Sequence, residues 1–115
     1  PDTFWFYADR VGDVVDLGNG IPAEYALHQN YPNPFNPSTV MQFDLPRAAT
    51  VTLSVYNILG QEVVRLMDKE SMNAGYKKVI FDASGIPSGA YLYRVFAEDN
   101  DGKTFVSVKR MILVK

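Results

Sequence analysis

Polar and apolar residues alternate with a period of two along most of the chain. Val51, Leu53 and Val55 share one face of the run from Thr50 to Tyr56, and Thr50, Thr52, Ser54 and Tyr56 share the other. Met41, Phe43 and Leu45 alternate with Val40, Gln42 and Asp44, and Val79 and Phe81 alternate with Lys78, Ile80 and Asp82. Tyr91, Tyr93 and Val95 alternate in the same way with Leu92, Arg94 and Phe96. A strand points successive side chains to opposite faces, so each run predicts a strand with one apolar side. Thr104–Val108 and Met111–Val114 predict strands that close the chain. No window carries a long helical stripe. Glu62–Glu70 fits a strand or a short helix, and the β-branched pair Val63-Val64 favours the strand.

Turn signals separate these runs: Pro46-Arg47-Ala48-Ala49, Asn57-Ile58-Leu59-Gly60, Ala74-Gly75, Gly85-Ile86-Pro87-Ser88-Gly89 and Asp99-Asn100-Asp101-Gly102. Asn57–Gly60 has the form of a type I turn with Gly60 in the left-handed position of a bulged hairpin. Its two apolar residues, Ile58 and Leu59, are unusual in a tight turn: they either cap the open end of the fold, the favoured reading, or leave a small knob for a partner. Asp99–Gly102 reads as a hairpin tip. It shares its start with a calcium loop, but Lys103-Thr104-Phe105 supplies none of the later oxygen ligands. Seven or so short strands at this spacing predict an all-β, antiparallel β-sandwich.

The first 21 residues break the pattern. In Thr3–Ala8, Phe4 and Phe6 fall on one face and Trp5 and Tyr7 on the other. A strand apolar on both faces needs cover on both. Residues 1–21 are therefore expected to be the tail of a preceding domain or a linker, with residues 3–8 available for strand pairing. Leu17-Gly18-Asn19-Gly20-Ile21-Pro22 is the flexible break, and the sandwich is expected over residues 22–115.

Composition narrows the function. The chain has 115 residues, 47% hydrophobic and 21% charged, which is one globular domain with a real core. Its net charge of −2 provides no basic surface for nucleic acid. No stretch approaches the length of a membrane span. There is no cysteine and a single histidine, His28. Thiolate chemistry and disulfides are excluded, and acid–base catalysis has little to work with. His28 has no acid or nucleophile partner in the pattern. Asp44, Asp68 and Asp82 read as solvated charges. No cofactor, metal site or catalytic activity is expected.

Tyr31-Pro32-Asn33-Pro34-Phe35-Asn36-Pro37-Ser38 is the most distinctive stretch. Each proline fixes its own φ and biases the residue before it. Missing N–H groups bar the segment from a central strand. Asn33 and Asn36 are expected to bond nearby backbone, and Tyr31 and Phe35 to anchor the segment on the core edge. It reads as a stiff lead-in loop in preference to a proline-rich ligand for an aromatic groove.

From Tyr25 to Thr39 the sequence resembles the opening of the type A C-terminal sorting domain of the type IX (Por) secretion system. The likeness continues through Phe43–Pro46, Val55–Val63, Pro87-Ser88-Gly89-Ala90-Tyr91 and the tail Lys109–Lys115, covering about residues 22 to 115. The resemblance implies an immunoglobulin-like sandwich with no chemistry of its own. It implies a secreted or cell-surface protein of Bacteroidetes-type bacteria, reached through the periplasm, whose fused N-terminal cargo is passed through an outer-membrane translocon. It also implies a sortase-like surface peptidase that removes the domain, with cutting expected near Gly18–Ile21.

On this resemblance the sorting-recognition candidates are Pro87, Gly89, Tyr91, Lys109, Met111, Leu113 and Lys115. The residues themselves also carry plainer roles. Gly89 supplies a backbone angle costly for other residues, and Tyr91 is a core aromatic whose hydroxyl ties to backbone. Lys109–Lys115 is a last strand pairing within the sheet with its lysines protecting the edge; as the terminal signal that the resemblance implies, its edge is expected to offer backbone to a receptor by strand addition. Two other functions suit a small sandwich: a carbohydrate-binding module built on Trp5, Tyr7, Tyr91 and Tyr93, and a passive spacer paired through residues 3–8.

Overall fold

The computed structural model describes Val14–Asp16 and residues 20–115. The expected aromatic strand at residues 3–8 lies outside the described residues, as does part of the expected break. Among the described residues, eight strands run in the order β1 (Val14–Asp16), β2 (Ala26–Leu27), β3 (Ser38–Leu45), β4 (Ala49–Asn57), β5 (Glu62–Met72), β6 (Gly75–Asp82), β7 (Gly89–Asp99) and β8 (Thr104–Leu113). They form two four-stranded antiparallel sheets, β1-β6-β3-β2 and β5-β4-β7-β8. The architecture is the expected immunoglobulin-like sandwich. The first sheet begins before Pro22, because Val14–Asp16 pairs along β6.

The alternation decides which face is inside. Met41, Phe43 and Leu45 of β3, Val51, Leu53 and Val55 of β4, and Val79 and Phe81 of β6 are all buried. Tyr93, Val95 and Ala97 of β7 and Met111 and Leu113 of β8 complete the core. Fully burying a Val, Leu or Phe side chain contributes about 1.5–3 kcal/mol each.

Two elements depart from the expected pattern. The closing runs are one strand, because Arg110 continues the ladder between them opposite Leu92. The stretch that was ambiguous, β5, is a strand whose register against β4 slips near Arg65 and Met67. Leu66 and Met67 are consecutive and both buried. A bulge that turns two successive side chains inward destroys the period-two signal there.

Candidate functional site

Strand directions gather the distinctive motifs at one end of the sandwich. Asn57, the last residue of β4, lies opposite Tyr91, and Gly89, the first of β7, lies opposite Leu113 near the end of β8. In the other sheet, Ser38 at the start of β3 faces Asp82 at the end of β6. The proline cassette, the Asn57–Gly60 turn, the Pro87–Tyr91 element and the tail therefore share a pole.

The cassette joins the two sheets there. Phe35 is 2% exposed and packs against Phe81 with ring centroids 6.2 Å apart. Its N–H donates to Ile112 O at 2.9 Å, and its carbonyl accepts the Val114 N–H at 2.9 Å. Asn33 Oδ1 accepts the Ile112 N–H at 2.9 Å, and Gln29 Nε2 donates to Arg110 O at 2.6 Å. In an antiparallel ladder alternate residues turn their N–H and C=O groups away from the neighbour. Here those are the even-numbered residues of β8. The Arg110 carbonyl, both groups of Ile112 and the Val114 N–H are engaged by residues 29–35.

This corrects the expectation of a free tail edge. Unpaired edge groups template unwanted pairing, and the cassette covers them with a segment whose prolines stop the sheet from growing further. A receptor adding a strand at Met111–Val114 would have to displace Phe35 first.

The cassette is itself held by Asn30, which is 2% exposed. Asn30 Nδ2 donates to Pro32 O at 3.1 Å and to Thr39 Oγ1 at 2.9 Å, while the Thr39 hydroxyl donates to Pro32 O. The peptide bonds before Pro32, Pro34 and Pro37 are cis. Two side-chain expectations need revision. Asn33 bonds to the tail, not to nearby backbone. Tyr31 pairs with Val40 through its backbone, but its side chain is 80% exposed and anchors nothing. A short bridge fixes the main chain of Tyr31 and leaves its ring in solvent.

The Pro87–Tyr91 element pins the tail from the other side. The Tyr91 hydroxyl donates to Pro87 O at 2.6 Å. Ser88 Oγ accepts the Lys115 N–H at 3.0 Å, and Lys115 Nζ donates to Ser84 O at 2.8 Å. Gly89 has φ +156°, and an added Cβ would meet only a Tyr91 ring carbon at 4.0 Å. The demand for glycine is therefore conformational, not steric. Tyr91, Met111 and Leu113 are buried; Pro87, Gly89 and Lys115 are exposed, and Lys109 is half-buried. The seven candidates thus divide into core residues and a surface set.

Ile58 and Leu59 do not cap the core. They are 74% and 78% exposed on a turn closed by Gly60 N–H to Asn57 O at 3.0 Å. Beside them a notch of about 320 Å³ is lined by Ile58, Ala90, Tyr91, Leu92 and Arg110. The sequence marked these apolar turn residues as unusual; their outward direction is set by the turn.

Behind the pole, the Tyr93 hydroxyl donates to His28 O at 2.6 Å, and burial pushes its pKa up to about 12. His28 does have an acid partner, since its Nε2 lies 2.8 Å from Asp44 Oδ2. Asp44 is 7% exposed, contrary to the expectation of a solvated charge. It points outward from β3, where His28 in the chain after β2 lies against it, a non-local effect that local alternation does not show. Among the described residues, no group of three or more His, Asp or Glu side chains is placed to hold a metal.

A secretion system C-terminal sorting domain family matches residues 29–113. The chain belongs to that family. It is a sorting signal of the type IX secretion system, which directs an attached protein across the outer membrane to the cell surface or the medium. The domain is of a non-catalytic kind. Among solved structures the sorting domain is similar to dimeric latent PorU from Porphyromonas gingivalis, at 23% identity and a TM-score of 0.62. That match covers 81% of this chain and 10% of PorU, so the chain spans a small part of that protein's length. It is also similar to CopC from Methylosinus trichosporium OB3b, at 13% identity and a TM-score of 0.52, covering 78% of this chain and 93% of that one. Both likenesses concern the fold. No curated protein matches.

Proposed function

We propose that the translocon reads the folded pole, with the tail held in place, and not a loose C-terminal peptide. The observation that carries this is the double attachment of Arg110–Lys115, to residues 29–35 on one side and to Ser84 and Ser88 on the other. The surface a partner meets comprises the Ile58–Leu59 knob, the notch beside it, Pro87, Gly89, Arg110 and Lys115. Tyr91, Met111 and Leu113 serve recognition by keeping that surface in shape. Exposed apolar side chains beside an arginine are the composition of a docking patch.

In this reading the sandwich, with β1 in its first sheet, is the sorting unit, and the residues before Val14 connect it to cargo. A sortase-like surface peptidase would cut in the Gly18–Ile21 stretch after passage, whose small and polar Gly-Asn-Gly composition suits cleavage. The test is export of a reporter fused to residues 1–115 in a bacterium with the translocon. Ile58→Asp with Leu59→Asp should abolish export while leaving thermal melting of the purified domain unchanged. Normal export of that variant would remove the knob from the recognition surface. Export that survives deletion of residues 109–115 would remove the tail.

A further inference from the structure

A second surface lies on the outer face of the β1-β6-β3-β2 sheet. A groove of about 260 Å³ is lined by His28, Gln29, Tyr31, Val40, Gln42 and Lys78. The Tyr31 ring stands 80% exposed at its side, on a backbone fixed by two hydrogen bonds of 3.0 Å to Val40. Gln42 and Lys78 are cross-strand neighbours on β3 and β6. The side chains of Tyr31, Gln42 and Lys78 form no hydrogen bond or ion pair among the described residues. The groove therefore presents a rigid aromatic plate, an amide, an ammonium and a hydroxyl, all uncommitted.

Its fourth polar group is oriented from below. Asp44 Oδ2 lies 2.8 Å from His28 Nε2, while Asp44 Oδ1 is buried with no partner among the described residues. A buried carboxylate oxygen without a donor is costly, and such exceptions call for an explanation. The gain is a fixed ring. When Nε2–H donates to the carboxylate, Nδ1 is left as an acceptor. His28 is then a positioned acceptor beside the donors Gln42 and Lys78.

We propose that this groove binds a pyranose carrying a carboxylate, the uronic acid residue of an acidic glycan. The apolar C–H face of the sugar covers the Tyr31 ring, which keeps its own hydroxyl in water. Its hydroxyls pair with His28 and Gln42. Its carboxylate meets Lys78 in a charge-assisted contact. The size fits one sugar, being at or below the lower end for small-molecule pockets. The lining argues against a protein partner, because Val40 is the sole aliphatic side chain in it and lysine is depleted at the centres of protein interfaces. None of this depends on how the pole is read.

Isotope-labelled domain, residues 1–115, should be titrated by NMR with galacturonate, glucuronate, galactose and glucose. The expected result is saturable shifts confined to Tyr31, Gln42, Lys78 and His28 with a uronate, at a Kd on the order of 1 mM. The matching neutral sugar should bind several-fold more weakly, and Lys78→Met should erase that difference. Tyr31→Ala should weaken uronate binding about tenfold or more without moving the melting temperature, since the ring is exposed. Absence of saturable shifts with any of the four sugars overturns the proposal. So does undiminished binding in Tyr31→Ala, or equal affinity for acidic and neutral sugars. Loss of reporter export in Tyr31→Ala with no sugar binding assigns the groove to a protein contact and also overturns it.

Discussion

The two halves of β8 are alike in their pairing with β7 and unlike in attachment. Thr104–Val108 and Arg110–Leu113 both alternate, and both pair with β7 without a register shift. In the first half Val106 and Val108 are each 48% exposed, and their outward backbone groups have no protein partner among the described residues. In the second half every other residue is tied to the cassette, and Met111 and Leu113 are sealed in the core. One strand thus has an open edge and a clamped edge, and the clamped part carries the sorting tail. The difference shows that the tail's shape is determined from sequence more than seventy residues upstream, through Gln29, Asn33 and Phe35.

Breaking the clamp should have the largest effect. Phe35→Ala removes a buried ring facing Phe81 and should cost about 3–5 kcal/mol in urea denaturation. Where the variant still folds, amide exchange should accelerate at Ile112 and Val114 more than at Val106 and Val108. Raising the pH attacks the same region through Tyr93. Its folded pKa of about 12 lies above the ordinary 10.0, chiefly because burial disfavours the phenolate. The unfolded phenol loses its proton first, so stability falls as pH rises from about 10 to 12, by about 3 kcal/mol in total. Tyr93→Phe should flatten this limb in denaturation measured against pH.

Smaller changes sharpen the contrast. Asn33→Ala deletes one exposed hydrogen bond to the tail and should cost about 1 kcal/mol, with faster exchange at Ile112. Val106→Thr, on the open half, should stay within about 0.5 kcal/mol of the parent and leave exchange in the tail unchanged. A Val106→Thr effect as large as that of Asn33→Ala would mean the two halves are equally committed.

Most of the sandwich was legible because its strands are amphipathic. Val51-Leu53-Val55 and Met41-Phe43-Leu45 declare their inner faces by alternation alone. The turns at Asn57–Gly60 and Asp99–Gly102 were legible from their side-chain chemistry, since Asn57 and Asp99 accept backbone N–H groups two and four residues on. What failed was long-range. Nothing local says that Asn33 reaches Ile112, that His28 lies against Asp44, or that Leu66 is the extra residue of a bulge. Asn33 and Phe35 were marked as special; their partner was not, because a cassette that bonds a strand seventy-odd residues away leaves no spacing signature. The directions of Tyr31 and of Ile58-Leu59 were misjudged for a related reason: apolar residues are assumed to be buried, and a rigid turn can hold them in solvent.

Native-state hydrogen exchange along β8 tests the central claim most directly, with the even-numbered amides as the probes. The clamped strand predicts slow exchange at Ile112 and Val114 and fast exchange at Val106 and Val108, in one protein under one condition. Fast exchange at all four, or protection confined to Val106 and Val108, would contradict it and return the tail to a free edge.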